Sequence, residues 1–441
     1  MKVILISVDS LRGDFFELCE KFGIKLKALR KLRDISVFFP NTFVQTPYTL
    51  PSHASMLTGL HPFNHGLRQH RGPKLKKGRA TLLDILKEKK IHTALFLGER
   101  IISEQLGYEN VNVLGKTSLR GINHKISEWR DQDFFIFIHY WGIHTPYLPL
   151  AFRSMKNLVF NLSTRLQVRG YLSDRLYDRI MYGTSIKGVR ILRDSLWRSL
   201  IKNVREDILD GEIEKVKRSY ARAILSFDKF VSGIIEILKT KGLFDQVQII
   251  LTGDHGEGFN EHDEISSEPV DYMHGHFLYN NVLRVPTFLK SKFGGRLSIV
   301  SPIQTVDIMP TVLDFYEMNA VGRKLDGASL LKRKSDPKDN RTIYFETLLG
   351  ETRKVGIIFD NLKIIRDLKM SRDYIFDLMY DPLESNNLAE DTKNQRYNIT
   401  EKLEEFVVSN NISFEKTRAD TEMTEEAKEI EDRLRALGYF V

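Results

Sequence analysis

Short runs of β-branched and aromatic residues alternate along the chain with stretches whose apolar residues recur every three or four positions. The runs predict strands at Val3 to Val8, Thr93 to Leu97, Phe134 to His139, Val247 to Thr252 and Thr287 to Leu289. Helices are predicted at Thr81 to Lys89 and from Val216 to Lys239, where Ala221, Ile224, Phe227, Val231, Ile234 and Leu238 share one face. Continuous apolar strands alternating with helices imply an α/β fold, a mostly parallel central sheet with helices on both faces. From about Ile343 the pattern shortens to Thr342 to Phe345, Lys354 to Phe359, Leu362 to Arg366 and Tyr374 to Asp377, with Asp360-Asn361 as a tight turn. This predicts a smaller antiparallel subdomain over 341–441 behind a main domain over 1–340. A terminal helix is expected at Thr424 to Leu437, stopped by Gly438.

Composition narrows the class. With 441 residues, 42% hydrophobic and 28% charged, the chain can bury a large core, which excludes disordered and fibrous architectures. Cys19 is the sole cysteine, so neither an intrachain disulfide nor a cysteine-rich metal site can form. Lys and Arg exceed Asp and Glu by 66 to 58, and Ala151 to Tyr220 alone holds 15 basic against 8 acidic residues. That segment reads as a basic helical insertion, about 151–215. It suits a solvated cap, or a lid that draws in an anionic substrate or makes peripheral contact with a membrane. No run approaches the roughly 18 apolar residues of a membrane-spanning helix, and the apolar start is too short for a secretory signal, so a cytoplasmic protein is expected. No nucleic-acid recognition motif stands out, and a nucleic-acid partner is not expected.

Three segments carry chemistry. Asp9 follows the first strand at its carboxyl end, where open parallel sheets place ligands, although an aspartate there can also serve only the turn. Asp254 and His255 follow another strand, among glycines that permit close backbone approach, and their oxygen and nitrogen donors suit a divalent cation. Thr49 lies near a helix start with Pro51 in the first turn; such a hydroxyl either faces an anion site or caps the helix.

These segments, in this order and with the phrases around them, resemble the sulfatase family of the alkaline phosphatase superfamily. The resemblance runs through Val8-Asp9-Ser10-Leu11-Arg12-Gly13-Asp14, Pro51-Ser52-His53-Ala54-Ser55-Met56-Leu57-Thr58-Gly59, Phe134 to Tyr147, Asp254-His255-Gly256-Glu257 and His274-Gly275. It continues through Asp307-Ile308-Met309-Pro310-Thr311 and Asp326-Gly327-Ala328-Ser329-Leu330 to the stretch from Asp377 to Ala389. It implies that Thr49 is the nucleophile and that Asp9, Thr49, Asp254 and His255 hold one divalent ion (Mn, Zn, Mg or Ca). His144 and His274 would contact the ester or leaving group. His53, where many sulfatases carry arginine, would orient Thr49 or the metal. His139, His276 and Arg100 would bind substrate, Arg100 standing near the place of a Gly-Lys-Trp-His phrase that is absent.

Two further departures shape the expected chemistry. Sulfatases oxidise a Cys or Ser at the nucleophile position to formylglycine, whereas oxidation of a threonine secondary alcohol would give a ketone. Ser10 replaces a frequent second metal-binding Asp, which suggests one ion rather than two. The expected function is therefore metal-dependent hydrolysis or group transfer on a small anionic phosphate mono- or diester, or a phosphonate ester, through Thr49. The alternatives are a sulfuric ester hydrolase acting without formylglycine and a non-catalytic anion-binding module.

Overall fold

The computed structural model describes residues 1–69, 75, 78–98, 101–108, 112–113, 118–144, 210–262, 272–292, 295–318, 324–332, 341–349, 352–389 and 393–414. Arg100, most of the basic insertion and the expected terminal helix at Thr424 to Leu437 lie outside the described residues.

The central sheet contains β1 (Lys2–Val8), β2 (Val37–Phe43), β3 (His92–Leu97), β4 (Asn112–Val113), β5 (Phe134–Tyr140) and β6 (Val247–Gly253). A two-stranded ribbon of β7 (Gly258–Phe259) and β8 (Tyr272–Met273) follows, and then β9 (Arg284–Lys290), β10 (Leu297–Ser298) and β11 (Ile303–Gln304) rejoin the sheet. Its order is β10-β2-β9-β6-β1-β5-β3-β4, with β11 also paired to β2. Only β9 runs antiparallel to its neighbours, so the sheet is mixed and mostly parallel. All of the expected strands form. The register break between Phe39 and Thr42 accommodates Pro40, which lacks a donor for the ladder.

Both faces are covered. Ile4, Ile6 and Val8 of β1 pack with Phe15, Leu29, Ile122 and Phe227 from helices on one side. Val3 and Leu5 pack with Leu50, Leu57, Leu86 and Val312 from helices on the other. This two-period alternation, buried on each face, is what makes the strand read as an unbroken apolar run. The long helix Asp210–Thr240 buries Ala221, Ile224, Phe227, Val231, Ile234 and Leu238 along one stripe, as its periodicity requires. Thr81 caps the helix Leu82–Glu88 in a reciprocal box with Asp84.

The C-terminal strands β12 (Ile343–Thr347), β13 (Lys354–Phe359), β14 (Leu362–Asp367) and β15 (Arg372–Asp377) form an antiparallel sheet in sequence order. Asp360 and Asn361 take positive φ of 49° and 66° at the β13–β14 turn, the left-handed pair that a tight hairpin demands. The helix Lys393–Ser409 packs on this sheet through Ile399 and Leu403. Among the described residues, no helix is long and apolar enough to cross a membrane.

Candidate metal centre and active site

Register alone brings the first two carboxylates together. Val8 of β1 lies level with Gly253 of β6 and Tyr140 of β5. The chain then leaves the sheet in step, with Asp254 N donating to Val8 O (3.1 Å) and Asp9 N donating to Tyr140 O (3.0 Å). Side chains alternate along β1, so Ser7 and Asp9 continue the face that carries Val3 and Leu5. His139, level with Ser7, shares that face. The helix Thr49–Thr58 covers it, and at the carboxyl end of the sheet an apolar interface gives way to a polar cluster.

Asp9, Thr49, His53, His139, His144, Asp254, His255 and His274 are all buried. Asp9, Asp254 and His255 each offer a ligand atom within 4.8 Å of the others. His255 Nδ1 lies 2.8 Å from Gly256 O, an atom that can only accept, so the proton sits on Nδ1 and the Nε2 lone pair faces the cluster. From Nε2 it is 3.3 Å to Thr49 Oγ1, 3.9 Å to Asp9 Oδ1 and 3.8 Å to Asp254 Oδ1. Ligands about 2.0–2.2 Å from a shared ion at tetrahedral angles lie about 3.3–3.6 Å apart, close to this spacing. Asp9 Oδ2 and Asp254 Oδ2 are buried and make no hydrogen bond among the described residues, a cost that a bound cation would remove. The donor set therefore fits a divalent ion.

Thr49 is not the helix cap. The N-cap residue is Tyr48, without a side-chain cap bond, and the helix begins at Thr49 itself. Ser10 holds the turn after β1 with φ of 58°, its amide donating to Asp254 Oδ1 (3.2 Å) and its hydroxyl to Asp9 Oδ1 (2.9 Å). At Gly256 an added Cβ would lie 2.0 Å from Asn281 O, so no other residue fits the loop that aims His255.

The histidines divide into distinct environments. His53 Nδ1 lies 2.7 Å from Thr49 O and its Nε2 2.9 Å from Ser7 Oγ, with burial pushing its pKa down to about 4. His139 is buried too, but Asp254 and Asp9 outweigh that burial and raise it to about 9. Conversely, His144 and His139 hold Asp9 well below the usual carboxylate range despite its burial. Glu257 Oε1 receives His274 Nδ1 at 2.9 Å and, against burial, raises the His274 pKa. The His274 ring packs 4.3 Å from that of His255 and 5.3 Å from that of His144, centroid to centroid. Across Gly275, at φ +99°, His276 directs Nδ1 to Thr352 Oγ1 at 2.7 Å.

Sequence reasoning overlooked the supports. Glu257 fixes His274, while Arg12 pairs with both oxygens of Asp14 (2.8 and 2.7 Å) and with Glu261 (2.6 Å), tying the turn after β1 to the segment after β6. Arg12 and Glu257 lie inside the motif phrases and could have been weighed there. Tyr220, buried on the long helix, reads as ordinary apolar stripe.

Comparison with known proteins shows the family and the fold. Residues 2–318 match the family model described as Sulfatase. Arylsulfatase K of Mus musculus is 23% identical over 451 residues, spanning 92% of this chain and 79% of its own. A protein solved in complex with its substrate D-glucosamine-2-N,6-O-disulfate superposes with a TM-score of 0.69 at 17% identity, covering 96% of this chain and 99% of that one. Phosphonate monoester hydrolase SpPMH from Silicibacter pomeroyi superposes with a TM-score of 0.70 at 15% identity, covering 96% and 98%. With its sheet, its strand-end carboxylates and the match over residues 2–318, the chain belongs to the sulfatase family of hydrolases.

Proposed function

We propose that the chain is a metal-dependent hydrolase of small anionic oxyacid esters, with Thr49 as nucleophile and Asp9, Thr49, Asp254 and His255 as ligands of a divalent ion. The observation that carries this reading is the approach of Thr49 Oγ1 to His255 Nε2 at 3.3 Å beside two buried carboxylates. A bound divalent ion supplies two effects there, lowering the pKa of the Thr49 hydroxyl and neutralising charge that develops on the transferring group.

The remaining work falls to side chains. Thr49, having lost its proton to solvent, attacks the central sulfur or phosphorus, and the bond to the leaving oxygen breaks in line. His274, charged through Glu257, donates a proton to that oxygen, with His144 beside it. Water then attacks the same central atom and frees Thr49. His53 holds the first helical turn between Ser7 and the Thr49 carbonyl and so orients the nucleophile. Arg100 and His276 are assigned to the substrate side.

A sulfuric ester is the leading substrate class, because the family and the arylsulfatase relative both favour it over the phosphorus esters expected from the sequence. A phosphate or phosphonate ester is the second reading, favoured by Thr49 itself. Its secondary alcohol cannot become formylglycine, so the aldehyde's elimination route to release sulfate is closed.

Turnover of p-nitrophenyl sulfate, p-nitrophenyl phosphate, bis-p-nitrophenyl phosphate and a phenyl phosphonate ester, each with and without Mn²⁺, Zn²⁺, Mg²⁺ or Ca²⁺, tests the proposal. Metal-dependent turnover that Thr49→Ala abolishes supports it, and the preferred ester chooses between the readings. Full activity in Thr49→Ala removes Thr49 as nucleophile; no turnover of any ester points to an anion-binding module.

A further inference from the structure

Asp9 and Asp254 each turn their two oxygens toward different imidazoles. Their Oδ1 atoms lie 3.9 and 3.8 Å from His255 Nε2, and their Oδ2 atoms lie 3.4 and 3.7 Å from His139 Nε2. The motif phrases point to a substrate role for His139, but its side chain is fully buried on an interior strand, level with Ser7 of β1 and Leu97 of β3. Gly98 N donates to the His139 carbonyl at 3.0 Å, and the ring packs edge-on against that of His53 with centroids 4.7 Å apart. So enclosed a ring has little freedom to swing toward an ester.

We infer that His139 is a positioning residue: its Nε2–H, shared between Asp9 Oδ2 and Asp254 Oδ2, holds both carboxylates with Oδ1 turned toward His255, leaving one oxygen of each for the ion. The inference rests on the reading of Asp9, Thr49, Asp254 and His255 as the ion's ligands, and it moves His139 from the substrate to the support of those ligands.

Register makes the contact possible. Asp9 lies one strand over from His139 and two residues further along, which by strand spacing puts their Cα atoms about 8 Å apart. An imidazole bridges that gap and a shorter side chain does not. A lone pair on Nε2 would face two carboxylates, so the proton sits there whether the ring is neutral or charged. One N–H divided between two acceptors is longer to each than an ordinary hydrogen bond, and it offsets their burial only in part. His53 Nδ1 also lies 3.7 Å from Asp254 Oδ2, but its proton goes to Thr49 O at 2.7 Å. Holding Oδ2 away from the ion bears on which ion is preferred. Ca²⁺ takes six to eight oxygens and readily uses both atoms of a carboxylate, whereas a site giving single carboxylate oxygens and an imidazole nitrogen suits Mn²⁺ or Zn²⁺.

The experiment compares the native full chain with His139→Gln, whose amide N–H reaches about as far as Nε2, and His139→Asn, whose donor stops at the reach of Nδ1. Each is stripped with chelator and titrated by calorimetry with Mn²⁺ and, separately, with Ca²⁺, with circular dichroism confirming the fold. The expected result is Mn²⁺ affinity within about threefold of native in His139→Gln and about 10- to 100-fold weaker in His139→Asn, the usual loss when a ligand's support is removed. Ca²⁺ affinity should fall less in His139→Asn, so that the preference for Mn²⁺ narrows. Native Mn²⁺ affinity in His139→Asn overturns the inference, and so does an equal loss for both ions, which is general loosening of the core. Binding of neither ion by the native chain overturns instead the reading of the metal site. Should neither variant fold, the native chain decides: tighter binding of Mn²⁺ than of Ca²⁺ supports the inference, and the reverse overturns it.

Discussion

The Tyr220 hydroxyl clasps the turn that carries Asp9, donating to Ser10 O at 2.6 Å and accepting from Arg12 N at 3.0 Å. It thereby anchors the left-handed Ser10 to the long helix that follows the basic insertion. Tyr220→Phe removes one oxygen and leaves a buried carbonyl and a buried amide without this partner. The expected cost is about 1–3 kcal/mol of stability and about 10- to 100-fold in metal affinity, the usual loss when an outer support of a ligand is removed. Denaturant titration and isothermal calorimetry with Mn²⁺ measure the two; an unchanged metal affinity would show that the turn holds Asp9 without Tyr220.

His274 is assigned as proton donor, so its loss should matter most where the leaving group most needs a proton. His274→Asn is expected to slow a poor alcohol leaving group by about 10²- to 10⁴-fold and p-nitrophenol esters far less. Because Glu257 raises the His274 pKa against the effect of burial, the donor stays protonated above the ordinary imidazole range. Activity should then fall as pH rises through that raised pKa, and Glu257→Gln should move the fall to lower pH. Equal slowing of both ester types would remove His274 from this role.

Acid sensitivity has a source outside the centre. Burial, with Arg341 nearby, pushes His61 down to about 4, against an unfolded value of roughly 6.5. The folded chain keeps this ring neutral while the unfolded chain takes up a proton, so stability is full above about 6.5 and is lost as pH falls toward 4. His61→Gln should flatten the dependence of the melting temperature on pH across that window. An unchanged slope would place the acid sensitivity elsewhere.

The C-terminal sheet is fastened by a fully buried ion pair. Lys363 Nζ donates to Glu384 and, at 3.0 Å, to Asn280 Oδ1, while Glu384 Oε2 accepts the Asn280 amide at 2.5 Å. Lys363→Met strands a buried carboxylate and should destabilise by about 3–5 kcal/mol, with Lys363→Met/Glu384→Gln recovering part of the loss. A loss below about 1 kcal/mol in urea unfolding would show that Glu384 finds other solvation.

Much of this arrangement was legible before any coordinates. The strand ends at Val8 and Gly253 carry Asp9 and Asp254 because parallel sheets with continuous apolar runs leave little freedom about where polar residues begin. Asp360-Asn361 announced its turn through residues that tolerate positive φ. The strand β2 escaped because Pro40, Asn41 and Thr42 interrupt its apolar run at a register break. The reversed direction of β9 escaped because side-chain pattern carries no sign of strand polarity. At the site, motif order pointed to Asp9, Thr49, Asp254 and His255, of which Asp9, Asp254 and His255 lie with ligand atoms within 4.8 Å of one another, and it assigned His139 to substrate binding. Its place between the two carboxylates depends on the level pairing of Ser7 with His139, a relation between strands that single-chain spacing cannot express.

Catalysis as proposed requires that Asp9, Thr49, Asp254 and His255 gather around one cation. Anomalous diffraction from crystals of the full chain soaked in Mn²⁺ or Zn²⁺ addresses that point without reference to any substrate. A peak within bonding distance of the Asp9 and Asp254 carboxylates, His255 Nε2 and Thr49 Oγ1 is expected. Density for these side chains with no anomalous peak among them, with metal in large excess over protein, would contradict it.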